Sequence, residues 1–375
     1  MSISDSSAPF EESYYLRAHP DVAAAVARGD FSSGRAHYDQ FGRAEGRAAS
    51  PPALPELTEL VASSSTDTVF IELTTRCNLR CVYCAVSQPT YRGIDLALEG
   101  FDNFVEQMRT RRVKHINLNG HGETTIIRDW DAYADRLADA GFELSITTNL
   151  AKGLTPEEVA TLSRFERILV SIDTVDGDLL ARLRRGSNLD RILENIKLVL
   201  DFAALRGRDP EIAVSCTVGD MTAAGVADLA ETLLRHGVRV FRFGDLSEYG
   251  AIEGVLRMRH VSHLPAEARS AVRESFKAAL ERIAEAGGVA EVDASLRSWL
   301  DEKTERSVHS ESRHAAAGDK TVWADEVGKG TTRDCLDPWK LAFVQSDAAV
   351  RPCCFFEEQL GTLATTELDR IVRSE

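Results

Sequence analysis

From residue 68 to about 245, short apolar runs alternate with longer amphipathic ones, and no other feature narrows the fold so far. TVFIEL, HINLN, FELSITT, RILVSID, EIAVSCTV and VRVFRF read as six strands. Between them, residues 95–112, 129–140, 155–164, 188–206 and 222–236 read as helices. In the fourth of these, Leu189, Ile192, Leu193, Ile196, Leu198, Val199 and Phe202 trace one face at helical period. Alternation of this kind predicts parallel βα units. Periodicity alone leaves two architectures open, an incomplete barrel and an open doubly wound sheet. In either, ligands bind where the strands end. The chemistry-bearing residues are therefore sought at those ends.

The first strand runs directly into Thr74-Thr75-Arg76-Cys77-Asn78-Leu79-Arg80-Cys81-Val82-Tyr83-Cys84. Three thiols in one loop are the usual equipment of an iron–sulfur site. Zinc normally takes four ligands in paired CxxC spacing, and a fourth from elsewhere in the chain keeps that reading open. Three cysteines on a cubane leave one iron for an outside chelator. The amino and carboxylate groups of S-adenosylmethionine (SAM) can fill that vacancy. Cys216 lies inside the fifth strand pattern and reads as a lone buried thiol.

CxxxCxxC with an aromatic, Tyr83, before the last cysteine resembles the defining motif of the radical SAM superfamily, and further elements follow in order over residues 66–250. Gly120-His121-Gly122-Glu123 after the second strand resembles the family's Gly-Gly-Glu, although His121 and Thr124 depart from it. The resemblance implies that Gly120, Gly122 and Glu123 seat the SAM amino group. Ser171-Ile172-Asp173 resembles the family's Ser-x-Asp. It implies a contact from Ser171 to the SAM carboxylate or ribose, with Asp173 accepting from a hydroxyl. Thr147-Thr148-Asn149 resembles a Thr-Asn element. Arg184 and Arg185 resemble an arginine that pairs the SAM carboxylate, and Arg185 is the one carried forward as a cofactor contact. The fold implied is a partial (β/α)6 TIM-like barrel. The activity implied is reductive cleavage of SAM at a 4Fe–4S cluster, then hydrogen abstraction from a substrate. The alternative kept beside it is an iron–sulfur protein that transfers electrons or senses, without SAM turnover. His121, Asp245, Glu248 and Tyr249 lie near strand ends as candidates for handling the second hydrogen. A low-potential donor of flavodoxin or ferredoxin type is the partner such chemistry implies.

Cys335, Pro338-Trp339, Val350-Arg351-Pro352-Cys353-Cys354 and Leu360-Gly361 resemble the start of a SPASM or twitch domain, which binds auxiliary clusters. A second cluster on Cys335, Cys353 and Cys354 is thereby implied. However, no cysteine follows Cys354, Ala348 replaces the usual hairpin glycine, and adjacent cysteines seldom serve one cluster comfortably. A degenerate region covering the barrel mouth is the preferred expectation. This partial likeness points to a peptide or to a sugar or cyclitol as substrate.

The expected organisation is a helical N-terminal module at 9–50, a linker at 51–66 and the barrel at 67–290. A helix and polar loop at 291–334 and a short α+β extension at 335–375, with a hairpin and terminal helix, complete it. The module resembles a short helical unit recurring in bacterial proteins, some linked to glycan and surface-polymer synthesis, which suggests docking. Its Asp21, His37 and Asp39 read as surface or capping residues. With 375 residues and 43% hydrophobic content, the chain can build one barrel-sized core. A net charge of -15 without a dominant basic footprint argues against nucleic acid. No basic leader with an apolar run and no membrane-length apolar stretch is present, so a cytoplasmic location is expected. There, seven cysteines, an odd number, suit thiols or metal ligands better than disulfides.

Overall fold

The computed structural model describes residues 10–50, 66–97, 100–246, 256–301, 341–352 and 358–372. They fall into two compact units, 10–50 and the residues from 66 onward.

The first unit contains helices α1 (Glu12–Ala18), α2 (Pro20–Arg28) and α3 (Gly34–His37), the last continuing into a π turn at Tyr38–Gly42. Pro20 begins α2, where its missing N–H costs nothing, and Gly29 ends it at φ 84°. Tyr15 is fully buried, and its hydroxyl lies 3.0 Å from His37 Nδ1. His37 is thus a core residue, not a surface one, because its ring closes the aromatic cluster of Tyr15, Phe31 and Phe41. Asp21 and Asp39 are surface ion-pair partners, of Arg47 and Arg35 respectively.

In the second unit all six expected strands form: β1 (Thr68–Ile71), β3 (His115–Leu118), β4 (Glu143–Thr148), β5 (Arg167–Ser171), β7 (Glu211–Val218) and β8 (Val240–Asp245). Each pairs in parallel with the next in chain order. The sheet does not close on itself, so the architecture is a partial (β/α)6 TIM-like barrel. Helices cover its outer face: α4 (Phe101–Thr110), α5 (Trp130–Asp139), α6 (Pro156–Leu162), α7 (Gly177–Leu183), α8 (Leu189–Leu205) and α9 (Val226–Arg235). Alternate strand residues such as Val69, Ile71, Ile116, Leu118, Ile146 and Ile168 pack with Met108, Trp130, Leu137 and Ile196 in one core. The other face, with Phe70, Asn117, Ser145, Thr147 and Leu169, lines a cavity of about 510 Å3. On α8, Ile192, Ile196 and Val199 are buried as the pattern predicts, whereas Leu198 is 43% exposed.

Three features depart from the sequence reading. Residues 264–303 read as helical in the sequence, but the described part is interrupted: α10 (Ala266–Glu285) ends before β9 (Val289–Val292), and α11 (Ala294–Leu300) follows. Gly287 turns at φ 72°, and a Cβ on Gly288 would stand 2.7 Å from Arg239 O, so the chain can press in beside β8 and pair with it. The expected terminal hairpin forms from β10 (Leu341–Val344) and β11 (Ala349–Arg351), followed by β12 (Gly361–Thr362) and a terminal helix at Leu368–Val372. Its strand β10 also pairs in parallel with β1, extending the barrel sheet at its other edge. Finally, two short strands, β2 (Arg80–Cys81) and β6 (Arg184–Arg185), pair antiparallel as a separate ribbon.

Candidate active site at the strand ends

The three-cysteine loop leaves β1 and is tied down along its length. Thr74 Oγ1 donates to Asp95 at 2.6 Å and receives the Arg76 N–H at 2.9 Å, while Arg76 Nε reaches Asp95 at 2.8 Å. Cys77 Sγ accepts the Leu79 N–H at 3.3 Å and faces Asn149 Nδ2 at 3.7 Å. The Cys84 N–H donates to Cys81 O at 3.2 Å. Cys81 is buried, and Cys77 and Cys84 are half-buried. Burial pushes the Cys77 thiol up and the Cys81 thiol up to about 12. As free thiols they stay protonated. Coordination to iron would replace the proton and supply the charge that burial denies. Among the described residues, no three His, Cys, Asp or Glu side chains converge on a single ion. A cubane takes each thiol on a different iron, so the three need not converge on one ion. Three thiols in one loop, with an N–H donated to sulfur, fit a three-thiolate cluster site.

The Gly-His-Gly-Glu turn is pressed against this loop. A Cβ on Gly122 would lie 2.3 Å from Thr74 O and 2.4 Å from Arg76 O, so only glycine fits. The Glu123 N–H donates to Arg76 O at 2.8 Å. Gly120 makes room for Glu72, whose Cγ would stand 2.3 Å from an added Cβ. The buried Glu72 carboxylate accepts the His121 N–H at 2.7 Å, meets His121 Nδ1 at 3.1 Å and accepts from Ser346 Oγ at 3.0 Å. Burial alone would raise the Glu72 pKa, but His121 and the Ser346 amide outweigh it and hold it below the usual carboxylate range. The same hydrogen bond raises His121 against the opposing effect of burial.

Glu123 is buried, and most of its carboxylate is taken. One oxygen accepts from Thr125 N (3.2 Å), Thr125 Oγ1 (2.8 Å) and Thr148 Oγ1 (2.7 Å); the other accepts from Asn149 N at 2.6 Å. It ties the ends of β3 and β4 together and keeps at most one acceptor site. Ser171 ends β5, half-buried, with Ser215 opposite on β7. Asp173 is buried and saturated. One oxygen accepts from Arg184 Nε at 2.8 Å and from the Tyr83 hydroxyl; the other accepts from Arg184 Nη2 at 2.8 Å and Thr217 N at 2.9 Å. No acceptor site remains for an incoming hydroxyl, which corrects the expected role of Asp173. Arg184 is likewise consumed by this pair, whereas Arg185 spends Nε on Arg80 O at 2.8 Å. Cys216, fully buried, donates to Asp173 O at 3.4 Å and is a structural thiol.

The structure brings Cys77, Cys81, Cys84, Tyr83, Gly120, Gly122, Glu123, Ser171 and Asp173 to one end of the barrel. Asp245 is held by His260 (3.3 Å) and Ser295 rather than standing free. Glu248, Tyr249, Cys335, Cys353 and Cys354 lie outside the described residues. The residue that sequence reasoning missed is Glu72. Its signal was present, an acidic side chain closing the apolar run TVFIEL just before the cysteine loop.

Residues 71–204 match the profile of the Radical SAM superfamily. A GTP 3',8-cyclase of Lactiplantibacillus plantarum is 29% identical over 164 residues, spanning 39% of this chain and 48% of that protein. An S-adenosylmethionine-dependent nucleotide dehydratase of Selenomonas ruminantium is 28% identical over 149 residues, spanning 39% of this chain and 53% of that protein. The chain thus spans about half the length of the curated relatives it matches. Among solved structures, Streptococcus suis SuiB bound to S-adenosylmethionine superposes with a TM-score of 0.57 at 15% identity, over 96% of this chain and 80% of that one. Native anSMEcpe with bound AdoMet superposes at 0.54 with 14% identity, over 82% and 80%. Those likenesses are of fold.

Proposed function

We propose that this chain, which belongs to the radical SAM superfamily, cleaves SAM reductively and takes a hydrogen atom from a bound substrate. The observation that carries the reading is the contact between two loops: the backbone around Gly122 is seated on Thr74 and Arg76, in the loop that carries Cys77, Cys81 and Cys84. Cys77, Cys81 and Cys84 would hold a 4Fe–4S cluster. With such a cluster in place, an electron from it would be available for reductive cleavage of the SAM sulfonium bond to a 5'-deoxyadenosyl radical. Around it, the chain's own residues orient and exclude. The Gly120–Gly122 backbone offers carbonyls to the SAM amino group, and Ser171 and Arg185 stand for its carboxylate and ribose. Tyr83 would wall the adenosyl side, and the barrel keeps water from the radical. A low-potential flavodoxin- or ferredoxin-type donor would provide the electron.

For the substrate we favour a hydroxylated ring, a sugar or cyclitol, over a peptide. The lumen is lined by Asn117, Asn119, Ser145 and Thr147, with His115, Glu143, Arg167, Glu211 and Arg242 toward the strand starts, and Asn117 Oδ1 is buried there with no partner among the described residues. An orphaned acceptor asks for a donor such as a ring hydroxyl. A ribose within a nucleotide meets the same need, and two relatives carry GTP or nucleotide in their names. A peptide is the second reading, since SuiB has a solved complex with the precursor peptide SuiA.

The test is anaerobic. Protein reconstituted with iron and sulfide, then given SAM and dithionite, should form 5'-deoxyadenosine by mass spectrometry. Cys77→Ala, Cys81→Ala and Cys84→Ala should each abolish it, and retained cleavage in any of them would sink the ligand assignment. A fully loaded protein that neither binds SAM by calorimetry nor cleaves it would instead be an electron carrier or sensor.

A further inference from the structure

The segment between the second and third cysteines is anchored through its backbone and through the Val82 and Tyr83 side chains, and no anchor uses a cysteine thiol. The Val82 N–H donates to Leu183 O at 2.9 Å, and β2 pairs Cys81 with Arg184 and Arg80 with Arg185. Val82 also enters a small apolar core of its own with Leu183, Leu246 and Met258, separate from the main barrel core. Tyr83 packs beside that core with its hydroxyl on Asp173, and the Arg184 guanidinium stands 5.6 Å from its ring centre. Asp173 is the common point. Its four acceptor sites are filled by Tyr83, by Arg184 twice and by the Thr217 amide of β7. A carboxylate this buried, with both oxygens saturated, is fixed in place by barrel strands β5 and β7.

We infer that Asp173, Arg184 and the Tyr83 hydroxyl form a buried clamp that positions the Cys81–Cys84 half of the cluster loop for SAM. This inference rests on the proposed function and deepens it. Asp173, Arg184 and the Tyr83 hydroxyl act through the loop as positioning groups, distinct from the Tyr83 ring, which Tyr83→Phe keeps on the adenosyl side. Cys77 is placed independently, through Asn149 and the Leu79 amide. Loosening the clamp should therefore leave three thiols able to take up iron while misplacing two of them relative to the Gly-His-Gly-Glu backbone. The consequence is a protein that loads its cluster normally but couples it poorly to SAM.

The experiment compares the anaerobically reconstituted wild type with Tyr83→Phe, which deletes one hydroxyl, and Arg184→Lys, which keeps the charge but cannot bridge both oxygens. Iron and sulfide content, the electron paramagnetic resonance spectrum of the dithionite-reduced protein with and without SAM, and SAM affinity by calorimetry are read on each. Expected are wild-type iron content, a diminished SAM-induced change in the spectrum, and SAM binding weakened by about tenfold or more in Arg184→Lys, with a smaller loss in Tyr83→Phe. If both variants show the wild-type spectral change and affinity, the clamp assignment is wrong and the proposed function stands. Should Arg184→Lys lose fold or iron, Tyr83→Phe alone decides by the same two readouts. A wild type that takes up no cluster, or whose spectrum ignores SAM, overturns the functional reading and the clamp with it.

Discussion

At the residue scale, the site is built from groups that touch one another more than they face solvent. Gly122 is the sharpest case, because two carbonyls of the cysteine loop occupy the space of a Cβ. Gly122→Ala must push the turn off that loop. SAM affinity measured by calorimetry is expected to fall on the order of tenfold or more; an unchanged affinity would separate the turn from the SAM site. The Glu72–His121 pair gives a second prediction, with a definite sign. His121 is raised by Glu72, so its contribution to stability is whole below the unfolded value of about 6.5 and is lost as pH rises through the folded value. Glu72 is held low, so its contribution is present above about 4.3 and is lost as pH falls through its folded value. The difference in urea midpoint between wild type and His121→Gln should be largest near pH 6 and close on the alkaline side. Because His121 is 54% exposed at its side chain, solvent screens the pair and the difference should be small. An equal gap at pH 6 and pH 9 would refute the dyad.

At the element scale, the barrel helices carry their own start signals, which is why the alternation was readable. In α6, Thr155 Oγ1 accepts the Glu158 N–H at 3.2 Å and the Glu158 carboxylate accepts the Thr155 N–H at 2.9 Å, a complete capping box with Pro156 at the first position. Glu158 also takes the Trp130 indole N–H at 2.8 Å, which links the cap to the centre of the core. Thr155→Ala should cost about 1 kcal/mol in urea unfolding, without moving cluster uptake. Helix α7 escaped the pattern because only Leu180 and Leu183 of its seven residues are buried, too short a run to show a period. The β2–β6 ribbon escaped for a different reason: a two-residue strand has no alternation to read, and its partner lies 105 residues away for the Arg80–Arg185 pair.

At the scale of the whole molecule, the barrel is a scaffold that brings loops from β1, β3, β4 and β5 to one mouth. Cluster binding should stabilise it, since the ligands are assembled only in the folded chain. Anaerobic reconstitution is expected to raise the thermal midpoint, by an amount corresponding to a few kcal/mol, and exposure to air should remove the gain; a midpoint indifferent to loading would count against a resident cluster. The sequence by itself determined the six strands, most of the helices, the three thiols and the glycines beside them. These are local properties: period, spacing within one loop, and the absence of a Cβ. Only the tertiary structure decided what the charged groups do. Asp173, Arg184 and Glu123 looked from the sequence like groups waiting for a ligand, but folding surrounds them with partners far along the chain. Glu72 looked like the end of a strand and became the anchor of His121 and Ser346. The physical reason is that a buried carboxylate is stable only when its lone pairs are filled, and the donors that fill them are chosen by packing rather than by sequence neighbourhood.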